Sequence, residues 1–108
     1  MASSTNRLNR EQVTALLSHK DLRVTYNPLG TLKYIPSGSA LAVVTSAKHE
    51  KRATARNKLR RRLKALFGQT EAPLIGILYA SKQSYALPYE KIKTLFHELV
   101  EKSKNRSR

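Results

Sequence analysis

The chain has 108 residues, with 21 Lys and Arg against 7 Asp and Glu, for a formal net charge of +14; that length allows one domain and one core. At 40% hydrophobic residues it can fold and is not a disordered basic peptide, and the cation excess points to a polyanionic partner: RNA, DNA, an anionic membrane surface or an acidic protein. The absence of cysteine excludes disulfides, thiolate zinc sites and cysteine nucleophiles.

Residues 1–8 read as a flexible basic arm, without the hydrophobic stretch of a secretory signal. Asn9 can cap a helix, with Gln12 completing a capping box. Val13, Leu16 and Leu17 give that helix an apolar edge, and it is expected to end near His19 and Lys20. Residues 22–26 alternate Leu, Val and Tyr against Arg and Thr, the pattern of a half-buried strand. Asn27-Pro28-Leu29-Gly30 is a turn by residue type. A short second strand follows over 32–35 and stops at Pro36-Ser37-Gly38-Ser39. Residues 40–45 form a continuous apolar run, a central-strand pattern. After a basic loop over 46–52, a helix is expected from 53 or 54 to 67, with Gly68 as its C-cap. Pro73 precedes a second buried strand over 74–80, and 81–86 read as a loop. Pro88 opens a last helix in which Ile92, Leu95, Phe96, Leu99 and Val100 recur at i, i+3, i+4, i+7 and i+8. From Lys102 the chain is expected to fray, with residues 9–102 as the domain and 103–108 as a basic tail.

The order α-β-β-β-α-β-α is that of an α+β fold: a single-domain α-β sandwich with a four-stranded sheet and helices on one side. The longest apolar runs are far too short to span a bilayer; the expected partner is a nucleic acid and not a membrane.

The densest chemistry lies at 48–64, KHEKRATARNKLRRRLK, where nine of seventeen residues are Lys or Arg and Glu50 is the one carboxylate. At helical spacing Leu59, Leu63, Leu66 and Phe67 gather within about a third of the circumference. Asn57, Arg60, Arg61 and Lys64 fall on a broadly opposite arc, with Arg56, Lys58 and Arg62 on the flanks. Arg56/Arg60/Lys64 and Lys58/Arg62 are like-charge i, i+4 neighbours, each costing a few tenths of a kcal/mol in the free protein. A helix shaped only for stability would interleave acids, so this one is expected to bury one face and offer phosphate contacts on the rest. The candidate RNA-binding residues are Lys48, Lys51, Arg52, Arg56, Asn57, Lys58, Arg60, Arg61 and Lys64. Docking of the helix in a DNA major groove is weaker, because no helix-turn-helix partner accompanies it.

No protein-borne catalytic centre emerges. His19, His49 and His97 are not at metal-ligand spacing. Asp21 and six Glu provide no acidic cluster for a two-metal nuclease, and no metal site is expected. Glu98 and Glu101, near Lys102 and Lys104, read as a solvated ion-pair surface. Any phosphodiester cleavage is then expected to lie in an RNA partner with its own Mg²⁺, the protein supplying position and charge.

ATARNKLRRRLKALFG resembles the RNR segment of the bacterial ribonuclease P protein subunit. Arg56-Asn57 stands at its start, Arg60, Arg61 and Lys64 at its basic positions, and Phe67 at its close. Arg7-Leu8 before the first helix, LIGILYAS before a last helix containing Tyr-Glu, and the element order over 7–102 are also similar to that family. The chain departs from it in two places. Val13 and Leu17 stand where members usually carry aromatics, and Ser46-Ala47-Lys48-His49-Glu50-Lys51 replaces a loop that usually contains glycine. The resemblance implies a left-handed β-α-β crossover and an accessory subunit of an RNA-based endoribonuclease. It implies binding to the ribonuclease P RNA and to precursor tRNA, whose 5′ leader Val13, Leu17 and Tyr26 would meet. It also implies a cytoplasmic setting and no obligate protein partner. The alternative is a ribosomal or RNA-chaperone protein using the same helix.

Overall fold

The chain, described over residues 10–70 and 74–105 by a computed structural model, runs in the expected order. Helix α1 (Arg10–Leu17) leads to strands β1 (Arg23–Asn27), β2 (Gly30–Ile35) and β3 (Ala40–Val44). Helix α2 (Ala53–Gln69), strand β4 (Ile75–Ala80), a 3₁₀ turn (Lys82–Ala86) and helix α3 (Tyr89–Asn105) complete it. The arm expected at 1–8, the Asn9 cap, the break at Pro73 and the last three tail residues lie outside the described residues.

The four strands form one sheet in the order β1-β2-β4-β3. β1 and β2 are an antiparallel hairpin, β4 is antiparallel to β2, and β3 is parallel to β4. Parallel neighbours need a long crossover, and α2 supplies it. Register puts Thr25, Leu32, Leu78 and Val43 in one cross-sheet row and Val24, Lys33, Ile77 and Ala42 in the next. Successive residues of a strand point to opposite faces, so these rows belong to different sides.

The Leu32/Leu78 side carries the main core. Leu59, Leu63, Leu66 and Phe67 from α2 and Ile92, Leu95, Phe96, Leu99 and Val100 from α3 close over it with Tyr34 and Leu41. Both helical stripes are buried as their periodicity requires. The other side is partly covered by α1, which contacts β2 and β4; Leu16 and Ile77 are buried there, outside the main cluster. The expectation of helices on one side is thus corrected. The small apolar edge of α1 suits it to Ile77 and not to the leucine-rich core.

Several element ends also differ. Gly68 is not a C-cap: α2 continues to Gln69, and the Thr70 backbone N–H closes it by donating to the Phe67 carbonyl, which also accepts the Thr70 hydroxyl (3.0 Å). Residues 81–86 are not an open loop; the 3₁₀ turn there is tied down by the buried Ser84, whose hydroxyl donates to the Ser81 carbonyl (2.7 Å). The last helix extends further than expected. α3 runs on to Asn105 because Ser103 is buried and its carbonyl accepts the Tyr34 hydroxyl (3.3 Å).

On the charged edge of α3, Glu98 and Lys102 take partners from β1. The Asn27 side-chain amide donates to the Leu95 carbonyl (2.9 Å) and to a Glu98 carboxylate oxygen (2.9 Å), while the Asn27 side-chain oxygen accepts the Leu29 N–H (2.8 Å). Lys102 donates to the Tyr26 carbonyl (3.1 Å). These bonds clamp the β1–β2 turn to α3.

Gly30 is required by close approach: a Cβ there would fall on the Tyr79 carbonyl of the neighbouring strand. Gly30→Ala is therefore expected to lower the unfolding free energy by at least about 1–3 kcal/mol, read by denaturant melts. Gly68→Ala, where a Cβ would meet nothing within 4 Å, is expected to be neutral or stabilising by up to about 1 kcal/mol. Equal effects at the two positions would contradict this sheet register.

Candidate nucleic-acid interface

α2 starts without an acid in its first turn and without a side-chain N-cap, so within that turn no carboxylate offsets the positive end of its dipole. The four buried residues of its stripe divide the charged residues into an outer arc and two flanks.

One flank faces the end of β3. The Arg60 guanidinium donates to the Thr45 hydroxyl (3.2 Å) and to the Asn57 side-chain oxygen. Arg60 is half-buried, so it lies closer to the sheet than helical spacing alone suggested. The Arg56 guanidinium turns back to the Glu50 carbonyl (2.8 Å) and the Lys51 carbonyl (3.1 Å). These bonds fix Arg56, Asn57 and Arg60 against one another and against the preceding loop. Arg61 and Lys64 are exposed on the outer arc. Lys48 and Lys51 are exposed on the loop.

That loop is ordered by its own bonds. The Ser46 carbonyl accepts the N–H groups of His49 (3.1 Å) and Glu50 (3.0 Å), and the Ser46 N–H donates to the Tyr85 hydroxyl (3.0 Å). The Arg52 guanidinium pairs with the Glu50 carboxylate at 3.0 Å, and the Arg52 backbone N–H donates to the same carboxylate (3.0 Å). The Arg52 side-chain bond, followed by its backbone bond, holds the Glu50 carboxyl down from its ordinary 4.5 to about 2. So the one acid of the basic run holds the loop onto the helix start, and it takes up Arg52 in doing so.

The other flank of α2 carries Lys58 and Arg62, with Arg62 lying over the Tyr89 ring at 5.2 Å. They border a recess of about 470 Å³ between α2, the 3₁₀ turn and the start of α3.

A second surface lies on the sheet side that α1 covers only in part. Tyr26, Thr31, Tyr79 and Val44 form one cross-sheet row there. Tyr26 is 71% exposed, Val44 42%, and Leu17 on α1 40%, while Val13 is half-buried. Of the three residues the resemblance assigns to a leader, then, Tyr26 and Leu17 are open. Leu16 is the α1 residue that packs inward. Sequence reasoning missed Tyr79 and Lys33. Lys33 holds its ammonium 5.5 Å from the Tyr79 ring centroid, within cation–π reach. Only the alternation within the strand, Tyr79 next to the core residue Leu78, hinted that Tyr79 faces outward. At about 4.8 Å per strand the row spans roughly 14 Å. It ends at Val44, one residue before the Thr45 that Arg60 holds, so the aromatic row and the α2 cations meet at one edge.

Among the described residues no group of three His, Asp or Glu is placed to hold a metal ion, and no helix is long and apolar enough to cross a membrane.

The family model described as Ribonuclease P matches residues 3–104. Solved structures with the same fold include an RNase P protein mutant from Staphylococcus aureus with defective mRNA degradation activity. It is 14% identical, with 95% of this chain and 92% of that chain covered and a TM-score of 0.83. The RNase P protein of Thermotoga maritima is 18% identical over 89% of this chain and 96% of its own, with a TM-score of 0.75. The search of curated proteins finds no significant match.

Glu50 ionises more readily in the folded chain than when unfolded, so its contribution is complete above pH 4.5 and fades as pH falls towards about 2. The stability difference between the native chain and Glu50→Gln should therefore be constant from pH 7 to 5 and shrink between pH 4.5 and 2, followed by thermal melts. A difference that grows on acidification would reverse the assigned sign.

Proposed function

The chain belongs to the bacterial ribonuclease P protein family, and from that premise we propose that α2 and its loop hold the ribonuclease P RNA while the open sheet face receives the 5′ leader of precursor tRNA. As a protein subunit of ribonuclease P, an endoribonuclease, the chain is an RNA-binding protein of tRNA maturation. That membership displaces the ribosomal, RNA-chaperone and major-groove readings.

The observation that carries the division of labour is the join at Thr45. Arg60 is anchored there beside Asn57, and the Tyr26–Tyr79 row ends one residue away. Phosphates of a folded RNA suit the α2 arc and loop: Lys48, Lys51, Arg52, Arg56, Asn57, Lys58, Arg60, Arg61 and Lys64. Arginine forks already oriented by protein acceptors lose less freedom on meeting phosphate. Unpaired leader bases suit the other surface, where Tyr26 and Tyr79 can stack and Leu17 and Val13 supply an apolar wall.

In this reading the bond-breaking chemistry is the RNA's, with its Mg²⁺, and the isolated protein is inactive. Among the described residues the donor chemistry does not suit a protein-bound Mg²⁺: no group of carboxylates gathers to hold one, and Glu50 and Glu98 are engaged in bonds that build the fold. The protein raises the effective concentration of substrate at the RNA and neutralises phosphate repulsion. The same reading includes the family's left-handed β3–α2–β4 crossover, against the right-handed default. It places the protein in the cytoplasm and needs neither a membrane nor a second protein.

At low Mg²⁺, adding the chain to a ribonuclease P RNA is expected to raise precursor-tRNA cleavage; unchanged cleavage where the RNA alone is slow would overturn the reading. Arg61→Ala should weaken RNA binding and reduce the salt slope by about one contact. Tyr26→Ala together with Tyr79→Ala should weaken precursor tRNA by about 1–3 kcal/mol per lost stack and leave mature tRNA unchanged, measured by equilibrium binding to the reconstituted complex. Equal losses for both tRNAs would remove the leader from that face.

A further inference from the structure

The recess on the far flank of α2 shares Arg52 and Lys58 with the phosphate-binding surface, but Arg62 and its apolar wall of Tyr85, Leu87 and Ile92 are not used by that surface. It measures about 470 Å³ and is bordered by Arg52, Lys58, Arg62, Tyr85, Leu87 and Ile92. That volume falls among small-ligand sites, about 300–1,000 Å³, and admits one nucleotide but not a duplex.

Its chemistry is divided. Three cations stand around it, and two of them are already oriented. Glu50 holds Arg52 and Tyr89 lies under Arg62. Lys58 is exposed and has no hydrogen-bond or ion-pair partner among the described residues. Lys58 and Arg62 are i, i+4 neighbours of like charge, an arrangement that disfavours the free helix and is relieved by an anion between them. The other wall is apolar: Ile92 is buried, and Leu87 and the Tyr85 ring are half-buried. The Tyr85 hydroxyl accepts the Ser46 N–H (3.0 Å), which leaves its own proton available to a ligand oxygen. A cationic rim over an aromatic and aliphatic wall matches a group with phosphate at one end and a flat base at the other.

We propose that this recess is a nucleotide pocket, filled by one nucleotide turned out of the stack in the bound ribonuclease P RNA, with its phosphate on Arg52, Lys58 and Arg62 and its base against Tyr85 and Leu87. The source of the nucleotide rests on the proposed function; the chemistry of the pocket does not. A strand lying along Arg61 on the outer arc passes within one helical turn of Lys58 and Arg62, so one residue can drop over the flank while its neighbours keep their phosphate contacts. Contact with Tyr85 would also reach Ser46 and the basic loop through the Tyr85 hydroxyl.

The test is titration of the isotope-labelled full chain with uridine 5′-monophosphate and, separately, with inorganic phosphate, followed by backbone amide signals. The nucleotide is expected to move the signals of Tyr85, Leu87 and Ile92 at lower concentration than phosphate does. Lys58→Ala/Arg62→Ala is expected to weaken that binding about tenfold or more. Lys58→Ala alone, at an exposed position, provides the same reading should the double variant unfold. Shifts of equal size with inorganic phosphate would leave a bare anion site and overturn the nucleotide pocket, as would no shift of the three signals. Ribonuclease P RNA is expected to abolish the response to the mononucleotide, and a response that persists in the complex would overturn RNA as the occupant. The titration uses the protein alone, so a failure of the pocket and a failure of RNA-dependent cleavage are read separately.

Discussion

β3 and β4 lie side by side and run in the same direction, so the chain leaving β3 has to travel back along the sheet before β4 can start. α2 is that return path. Because the connection cannot be a tight turn, the loop at 46–52 and the first turns of α2 are carried to the C-terminal edge of β3. There Arg60 reaches Thr45, and Arg56 closes the loop on its own carbonyls. A hairpin between β3 and β4 would have removed the place where the cations meet the open end of the sheet.

The same helix resolves two opposed demands. Its leucine stripe and Phe67 are buried against the sheet, and that burial supplies most of the reason a helix so crowded with like charges forms at all. The remaining circumference is cationic, and the structure limits the conformational freedom of those cations more than their repulsion. Asn57, Glu50, Tyr89 and main-chain carbonyls each hold a guanidinium. The one acid in the run is spent on the loop and not on screening the arc. This is the economy of a protein whose partner, not its own carboxylates, supplies the counter-charge on complex formation.

The sheet serves two solvents. One face is sealed by α2 and α3; the other is covered by α1 around Leu16 and Ile77 and left open at Tyr26 and Val44, with the half-buried Tyr79 between them. A short α1 is enough to fill the middle of that face and too short to fill its edge. The bonds from Lys102 to the Tyr26 carbonyl and from the Asn27 amide to the Leu95 carbonyl and Glu98 keep the strand carrying Tyr26 in place against α3. The exposed ring therefore stands on a fixed backbone, as a stacking platform needs to.

Local patterning was enough to reveal the order of elements, the buried stripe of α2, the apolar series of α3 and the charge excess that calls for a polyanion, because each depends on residues within a few turns of one another. Arg56-Asn57 ahead of Arg60 and Arg61 was legible as a family resemblance for the same reason. Element ends were less so. Gly68 looked like a cap, but its backbone stays helical until Thr70 finds the Phe67 carbonyl. Lys102 looked like the start of a tail, but Tyr34, far away in sequence, holds Ser103. Which strands are neighbours, which face α1 covers, that Lys33 meets Tyr79 and that Lys58 and Arg62 border a recess with Tyr85 and Leu87 were decided only by the folded chain. These are contacts between residues tens of positions apart, and periodicity within a segment carries no information about which distant segment it will lie against.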